Sequence, residues 1–202
     1  RMSEEVLSIL RSIEKRLTAI EASQGSGGGG GGAASAAAAP AGGSAKADAY
    51  QAIIDDHVVP FKAACEKIGG DTAPLGDLVM NAALATKALI QTASESKKPA
   101  AADMQGVLGP LSGKIGEIVA YRDSKRATKE KNTLWAIAES AGAFGWVAVE
   151  PTPAPYVNEM IGSAQFYTNK ILREFKGKDE TQVAFATHYV EFLKAVVAYI
   201  KQ

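Results

Sequence analysis

The stretch Gly145-Trp-Val-Ala-Val-Glu-Pro-Thr-Pro-Ala-Pro-Tyr156 separates two amphipathic helical patterns. Before it, apolar residues recur at helical spacing: Leu134, Ile137, Ala141, Phe144 and Ala148. The same spacing returns after it: Val157, Met160, Ala164, Tyr167, Ile171 and Phe175. The prolines between the patterns fix φ and remove backbone donors, so we expect no helix to run through them. The sequence therefore predicts a stiff, extended connector, followed by a fifth helix from about Tyr156 to Lys176.

The predicted fifth helix carries an aromatic residue outside its apolar stripe. Phe166 aligns with Glu159, Ser163 and Lys170, which are polar. A helix packed between several others buries more than one face, and Phe166 would then belong to the core. An aromatic residue with a polar rim is instead typical of a protein–protein interface. Both interpretations fit the sequence.

Helical periodicity extends over residues 47–202, and no alternating segment is long enough for a strand. We predict an all-α fold of six helices with Asp48 as the first N-cap. The expected bounds are about 48–68 with a kink or break at Pro60, 71–98, 101–121 with a break near Gly109-Pro110, 127–147, 156–176 and 179–202. Short loops between successive helices favour an antiparallel six-helix bundle.

Two regions precede the predicted bundle. Residues 24–46 form a flexible Gly/Ala linker that cannot bury enough surface to offset its ordering entropy. Residues 3–23 predict a short coiled coil, and a single amphipathic helix is the alternative. Its apolar residues follow heptad spacing and are the predicted oligomerisation residues: Val6, Leu10, Ile13, Leu17 and Ile20.

Charge and composition argue against several classes of function. Lys+Arg and Asp+Glu number 22 each, so no net charge favours nucleic acid or a lipid surface. The single cysteine, Cys65, cannot form an intramolecular disulfide, which fits a reducing compartment such as the cytoplasm. No apolar run approaches the length that spans a bilayer and nothing resembles a signal peptide, so we expect no membrane insertion.

The sequence shows no catalytic, cofactor or metal constellation, and we predict that the protein is not an enzyme. His57 and His188 lie in different predicted helices beside apolar stripes, where structural roles are usual. Cys65 lies on a buried face, and a buried cysteine is normally inert. The chain has neither a Cys-x-x-Cys nor a His-Glu-x-x-His pattern, and its glycine run lacks the Gly-Lys-Ser/Thr of a phosphate loop.

Several segments resemble the N-terminal helical domain of cyclase-associated proteins, also called adenylyl cyclase-associated proteins. The resemblance covers roughly residues 47–202. It is carried by these segments: Glu66-Lys-Ile-Gly-Gly70, Ser96-Lys-Lys-Pro99, Arg122-x-x-Lys-Arg126, Gly145-Trp-Val147, the Pro-x-Pro connector and Ser163-Ala-Gln-Phe-Tyr-Thr-Asn-Lys170. The chain departs from the family at Thr133, where members often have histidine. It also departs at Thr18, where the family's Arg-Leu-Glu signature has glutamate, and this weakens the expected cyclase contact more than oligomerisation.

The resemblance implies a six-helix bundle that binds cofilin-decorated actin filaments and speeds the loss of subunits. The expected partners are actin, cofilin and a second copy of the chain, in the cytoplasmic actin cytoskeleton of the cell cortex. The alternative is a scaffold that links adenylyl cyclase or other signalling partners to the cytoskeleton. The family's later regions would lie beyond Gln202, which suggests that the sequence is a fragment.

Antiparallel topology guides the choice of binding residues within the predicted bundle. Basic residues cluster at Lys97-Lys98 and over 122–131, and either cluster can simply serve solubility and helix C-termini. Because successive helices reverse direction, the second helix should end beside the turn after the fourth helix, far from Arg122. We therefore predict an actin- and cofilin-binding end that contains Lys97, Lys98, Pro99, Glu150 and Pro153. The predicted set also includes Phe166, Asn169 and Lys170, which lie in the segment that resembles the family.

Overall fold

The structure, a computed structural model, describes residues 44–96 and 101–202, and in this part every regular element is helical. Helix α1 is continuous over three segments, Ala45–Ile53, Ile54–Val58 and Val59–Ile68. The other five are α2 (Ala73–Glu95), α3 (Ala101–Ser124), α4 (Lys131–Ser140, extended by the 3-10 turns Ala141–Ala148), α5 (Pro153–Phe175) and α6 (Glu180–Ile200). The predicted all-α fold of six helices is confirmed. The predicted coiled coil over 3–23 and the linker up to residue 43 lie outside the described residues.

Helix α1 begins before the predicted N-cap. The Ser44 hydroxyl accepts a hydrogen bond from the Ala47 amide at 3.1 Å, which makes Ser44 the N-cap. The prediction of Asp48 as the cap is therefore wrong. Asp48 instead lies in the first turn, where its carboxylate is favourable beside the positive end of the helix dipole.

Pro60 changes the hydrogen bonding of α1 without ending the helix. A π-helical turn, Ile54–Val58, lies directly before the segment that carries Pro60 in its first turn. Proline cannot donate to the carbonyl four residues back and its ring presses against that carbonyl, and the wider turn accommodates both effects. The helix ends at Gly69 and Gly70, whose φ values of 76° and 54° are in the left-handed region that favours glycine.

The predicted break in the third helix is wrong, because α3 runs unbroken through Pro110. The carbonyl that loses its donor there belongs to Gly106. Pro110 and Gly106 are both exposed, so water can take the place of the missing backbone hydrogen bond.

Two boundaries around the proline-rich connector also differ from the prediction. Helix α4 begins at Lys131 instead of residue 127, and α5 begins at Pro153 instead of Tyr156. The first N–H groups of a helix have no partner within it, so Pro153 and Pro155 fit the first turn of α5. The expectation that no helix includes these prolines is wrong, and the extended connector shortens to residues 149–152, with a cis bond before Pro151.

Helix α6 supplies the largest share of the aromatic core. Phe185, Tyr189 and Phe192 are at most 1% exposed and pack against Phe61 and Phe144 with ring centroids 5.0–5.6 Å apart. Burying one large apolar side chain contributes about 1.5–3 kcal/mol. The Tyr189 hydroxyl shares a buried hydrogen bond of 2.7 Å with Ser140 on α4, and burial raises the pKa of Tyr189.

Helix α6 is also long and apolar enough to pass a length-and-composition test for a membrane span. Of its most apolar stretch, 44% is buried in the bundle. Glu191 and Lys194 interrupt this helix, so it contains no uninterrupted apolar run of that length. Its apolar residues form the core of the bundle, which accounts for the hydropathy without a membrane.

Candidate functional site

The ends of the helices alternate as antiparallel topology predicts. At one end, the Tyr121 hydroxyl donates to the Asp71 carbonyl at 2.9 Å, so the end of α3 meets the start of α2. At the other end, residues from four chain segments line a groove of about 510 Å³, among them Ala45, Ser94, Trp146 and Tyr199. The end of α2 thus lies beside the segment that follows α4, away from Arg122 on α3.

The predicted binding residues are only partly visible at the end where α5 begins. Lys97, Lys98 and Pro99 lie outside the described residues. Glu150 is exposed in the connector, and the half-buried Pro153 is the first residue of α5. A role for this end of the bundle in binding stays a prediction.

The rest of the predicted set lies far along the same helix. Phe166 is 13 residues after Pro153, which corresponds to about 20 Å along the helix axis. Asn169 and Lys170 follow within the next turn, so these three residues form a group separate from the connector.

Phe166 is exposed to solvent and does not belong to the core. Its relative exposure is 61%, against 48% for Val59 and 42% for Leu84, the other large hydrophobic side chains that are exposed among the described residues. The Lys170 ammonium lies 3.9 Å from the centre of the Phe166 ring and 4.9 Å from that of Tyr167. The two rings meet edge to face at 4.9 Å. The interpretation of Phe166 as a core residue is therefore wrong, and its role at an interface stays a prediction.

A second group of cations and rings lies on α3 and α4. The Arg122 guanidinium and the Lys131 ammonium each lie 5.3 Å from the centre of the half-buried Trp135 ring. Arg122 also forms an ion pair of 2.5 Å with Glu139, and their side chains are only 12% and 23% exposed. Arg122 and Glu139 therefore fix the α3–α4 contact beside Trp135.

The charges of the second group act on Tyr167 of the first. Burial raises the pKa of Tyr167, the charge of Glu139 raises it further and Arg122 opposes that rise. Tyr167 on α5 is thus within electrostatic range of the ion pair that fixes α3 to α4. Because α4 and α5 pack against each other, the two groups lie on neighbouring helices. Together we name them the cation–aromatic surface: Arg122, Lys131, Trp135, Phe166, Tyr167 and Lys170.

Sequence reasoning missed Trp135 and Tyr167 as members of this surface. Helical spacing places Tyr167 in the buried stripe of the fifth helix, and Trp135 lies beside a stripe in the fourth. The available signal is a different spacing: Lys131 with Trp135 and Phe166 with Lys170 are both four residues apart on a helix, where a cation and a ring can meet.

Part of the basic cluster over 122–131 has a structural role instead. Lys125 forms an ion pair with Asp71 at 2.9 Å, and this contact, helped by Thr128, lowers the pKa of the Asp71 carboxyl. Glu130 accepts hydrogen bonds from the Thr72 amide at 2.6 Å and the Thr72 hydroxyl at 2.7 Å. These contacts fasten the start of α2 to the loop between α3 and α4.

Glycine is required beside this contact. A Cβ atom at Gly70 would overlap the Glu130 carboxylate. The left-handed backbone of Gly70 disfavours a side chain as well.

The cysteine and histidine side chains, which could take part in catalysis, are buried or half-buried in the bundle. Cys65 is fully buried, and burial raises the pKa of its thiol, so the thiol stays protonated at neutral pH. Burial lowers the pKa of His188, and the charge of the neighbouring His57 acts in the same direction. In the described part of the chain, no group of three or more potential metal ligands comes together.

Comparison with known proteins agrees with the fold and the motifs. Residues 50–202 match the family model "CAP, N-terminal domain". The adenylyl cyclase-associated protein of Dictyostelium discoideum is 46% identical over 200 residues, which cover 98% of this chain and 43% of that protein. Human adenylyl cyclase-associated protein 1 is 35% identical over 162 residues, which cover 80% of this chain and 34% of that protein. The chain thus spans less than half the length of these relatives.

Two solved structures share the bundle. A crystal structure of the N-terminal domain of CAP, described as indicating variable oligomerisation, matches with a TM-score of 0.77 and 45% identity. The match covers 79% of this chain and 86% of the solved chain. The N-terminal domain of the Dictyostelium discoideum protein matches with a TM-score of 0.75 and 45% identity over 77% of this chain and 89% of that one. The chain therefore belongs to the cyclase-associated protein family, whose N-terminal domain it contains.

Proposed function

We propose that this chain is an actin-binding module that acts with cofilin to promote filament disassembly and actin turnover. The observation that carries the proposal is the match of residues 50–202 to the N-terminal domain of the family. The cation–aromatic surface supports it, because exposed aromatic and cationic side chains on rigid helices are typical of surfaces that bind proteins. The module would act by binding and not as an enzyme, in the cytoplasmic actin cytoskeleton of the cell cortex.

The proposed mechanism is differential binding. A bundle that binds a loosened terminal subunit more tightly than a subunit in the lattice shifts the equilibrium toward release. Each tenfold difference in affinity between the two states corresponds to about 1.4 kcal/mol. Cofilin would favour the loosened state, and for that reason the effect should depend on cofilin.

Oligomerisation would strengthen this effect. We propose that residues 3–23 assemble the chain into a dimer or larger homo-oligomer. The related domain structure described with variable oligomerisation supports self-association in the family. A second bundle held on the same assembly rebinds at a high effective concentration, so several weak contacts can retain the assembly at a filament end.

A second candidate function is a scaffold for adenylyl cyclase, which the names of the relatives favour. Co-sedimentation with actin filaments, with and without cofilin, separates the candidates. The actin-turnover proposal predicts that more of the chain pellets with cofilin-decorated filaments than with bare ones. Pelleting at the background level with both kinds of filament, together with capture of adenylyl cyclase, would favour the scaffold.

The predicted bundle end can be tested in the same assay. Reversing the charges of Lys97 and Lys98 should weaken binding, while reversing those of Arg126 and Lys129 should do less. Loss of binding only in the Arg126 and Lys129 variant would show that the opposite end of the bundle faces the filament.

A further inference from the structure

We propose that the cation–aromatic surface is the contact surface for an acidic face of the protein partner. This inference rests on the proposed function, in which that face belongs to the cofilin-decorated actin filament. It assigns the contact to the sides of α4 and α5, in addition to the predicted end of the bundle.

Two cations of this surface keep their charge available to a partner. Among the described residues, neither Lys131 nor Lys170 has a carboxylate partner, whereas Lys62 and Lys125 form ion pairs with Asp77 and Asp71. The ammonium groups of Lys131 and Lys170 lie over aromatic rings instead. A ring limits the motion of an ammonium group and leaves its charge uncompensated, so less freedom is lost when a carboxylate binds.

Phe166 offers an exposed apolar contact directly beside Lys170. Phe166 is 61% exposed, and it lies one turn after Gly162, where a Cβ atom would meet no other atom within 4 Å. A partner side chain can therefore approach the backbone of α5 directly beside the Phe166 ring. An aromatic anchor next to an open site, with cations at its rim, has the composition of an interface hot spot.

The charge of the surface favours an acidic partner. The Arg122 guanidinium is already paired, with Glu139 at 2.5 Å and with Asp123 at 2.9 Å. Among the described residues, Lys131 and Lys170 are thus the cations of this surface that an incoming carboxylate can pair with. A partner with carboxylates around an apolar patch matches this arrangement, and opposite charges also raise the rate of encounter.

The test compares charge reversal on this surface with an equal reversal elsewhere. The double variant Lys131→Glu/Lys170→Glu and the single variant Phe166→Ala are compared with the control Lys67→Glu/Lys178→Glu. The control lysines are exposed on α1 and in the loop after α5. The control replaces two lysines by two glutamates, so its change in net charge equals that of Lys131→Glu/Lys170→Glu. The probe is actin filaments decorated with cofilin, and the readout is the affinity of the full chain by co-sedimentation.

We expect each surface variant to lose about tenfold or more in affinity and the control to stay within about twofold of the parent. In the bound parent, Lys131 and Lys170 should be protected from acetylation relative to Lys67 and Lys178. This second measurement needs no variant and so does not depend on the folding of any variant.

The experiment distinguishes three results that would contradict this inference. If the parent binds and both surface variants bind equally well, this inference is wrong and the proposed function stands. If the parent does not bind decorated filaments, both are wrong. If the surface variants lose affinity only together with their oligomeric mass in light scattering, the surface joins two copies of the chain, and the assignment to an acidic partner is wrong.

Discussion

Glu130 shows how a single side chain can fasten two loops of this bundle. Its carboxylate accepts hydrogen bonds from Thr72, which is fully buried, and Thr72 in turn contacts Thr133 at 2.8 Å. A carboxylate acceptor is stronger than a neutral one, and water cannot easily replace it at a buried threonine. The start of α2 is thus held to the start of α4 through one acidic group.

Glu130→Ala should therefore lower the free energy of unfolding by about 1.5–3 kcal/mol, because Thr72 loses a charged acceptor. Urea titration followed by circular dichroism measures the change. Glu117→Ala is the control, since Glu117 forms an exposed pair with Lys114 that contributes little. Equal losses in the two variants would contradict the role given to Glu130.

The ion pair between Lys125 and Asp71 should make stability depend on pH. The folded-state pKa of Asp71 lies below the usual 3.8, so the folded state binds fewer protons there than the unfolded chain does. The contribution of Asp71 is therefore present above about pH 4 and is lost as the pH falls through the folded-state pKa.

Lys125→Met removes this contribution. The variant should be less stable than the parent at pH 7, and the difference should shrink as the pH falls below about 4, as measured by urea titration at each pH. Lys129→Met, at an exposed position nearby, should show no such trend. A difference in free energy of unfolding that is the same at low and neutral pH would refute the linkage.

At the scale of elements, three prolines show what local rules can and cannot predict. The rule that proline disrupts a helix applies to Pro60, Pro110 and Pro153 alike. The outcomes differ because Pro60 follows a π turn, Pro110 faces water and Pro153 occupies a first turn. Whether a proline ends a helix or is accommodated in it depends on its solvent exposure and on where the helix begins. The sequence pattern predicts neither of these directly.

The core was more predictable than the candidate site. Buried positions on α6 such as Ala186, Tyr189 and Leu193 follow from helical spacing alone, because one face of the helix must be covered. The cation–aromatic surface joins Arg122, Trp135 and Tyr167 from three helices. Such a meeting depends on how the helices pack, whereas the contact of Phe166 with Lys170 lies within one helix and was readable from its spacing.

At the scale of the whole molecule, assembly is predicted to depend on a segment that is separate from the bundle. Leu10 and Leu17 occupy the predicted seam of the coiled coil over 3–23. Replacing both with lysine would bury uncompensated charge in that seam. Light scattering should then give a smaller mass than for the parent, with helicity of the bundle retained. An unchanged mass would mean that any dimer forms through the bundle itself.

The most direct test of a role in actin turnover is the shortening rate of single actin filaments, imaged with cofilin present and with increasing amounts of this chain. We expect that shortening accelerates with concentration, that the acceleration requires cofilin, and that Leu10→Lys/Leu17→Lys weakens it through lost avidity. A shortening rate that stays at the cofilin-only value at every concentration of the chain would contradict that role.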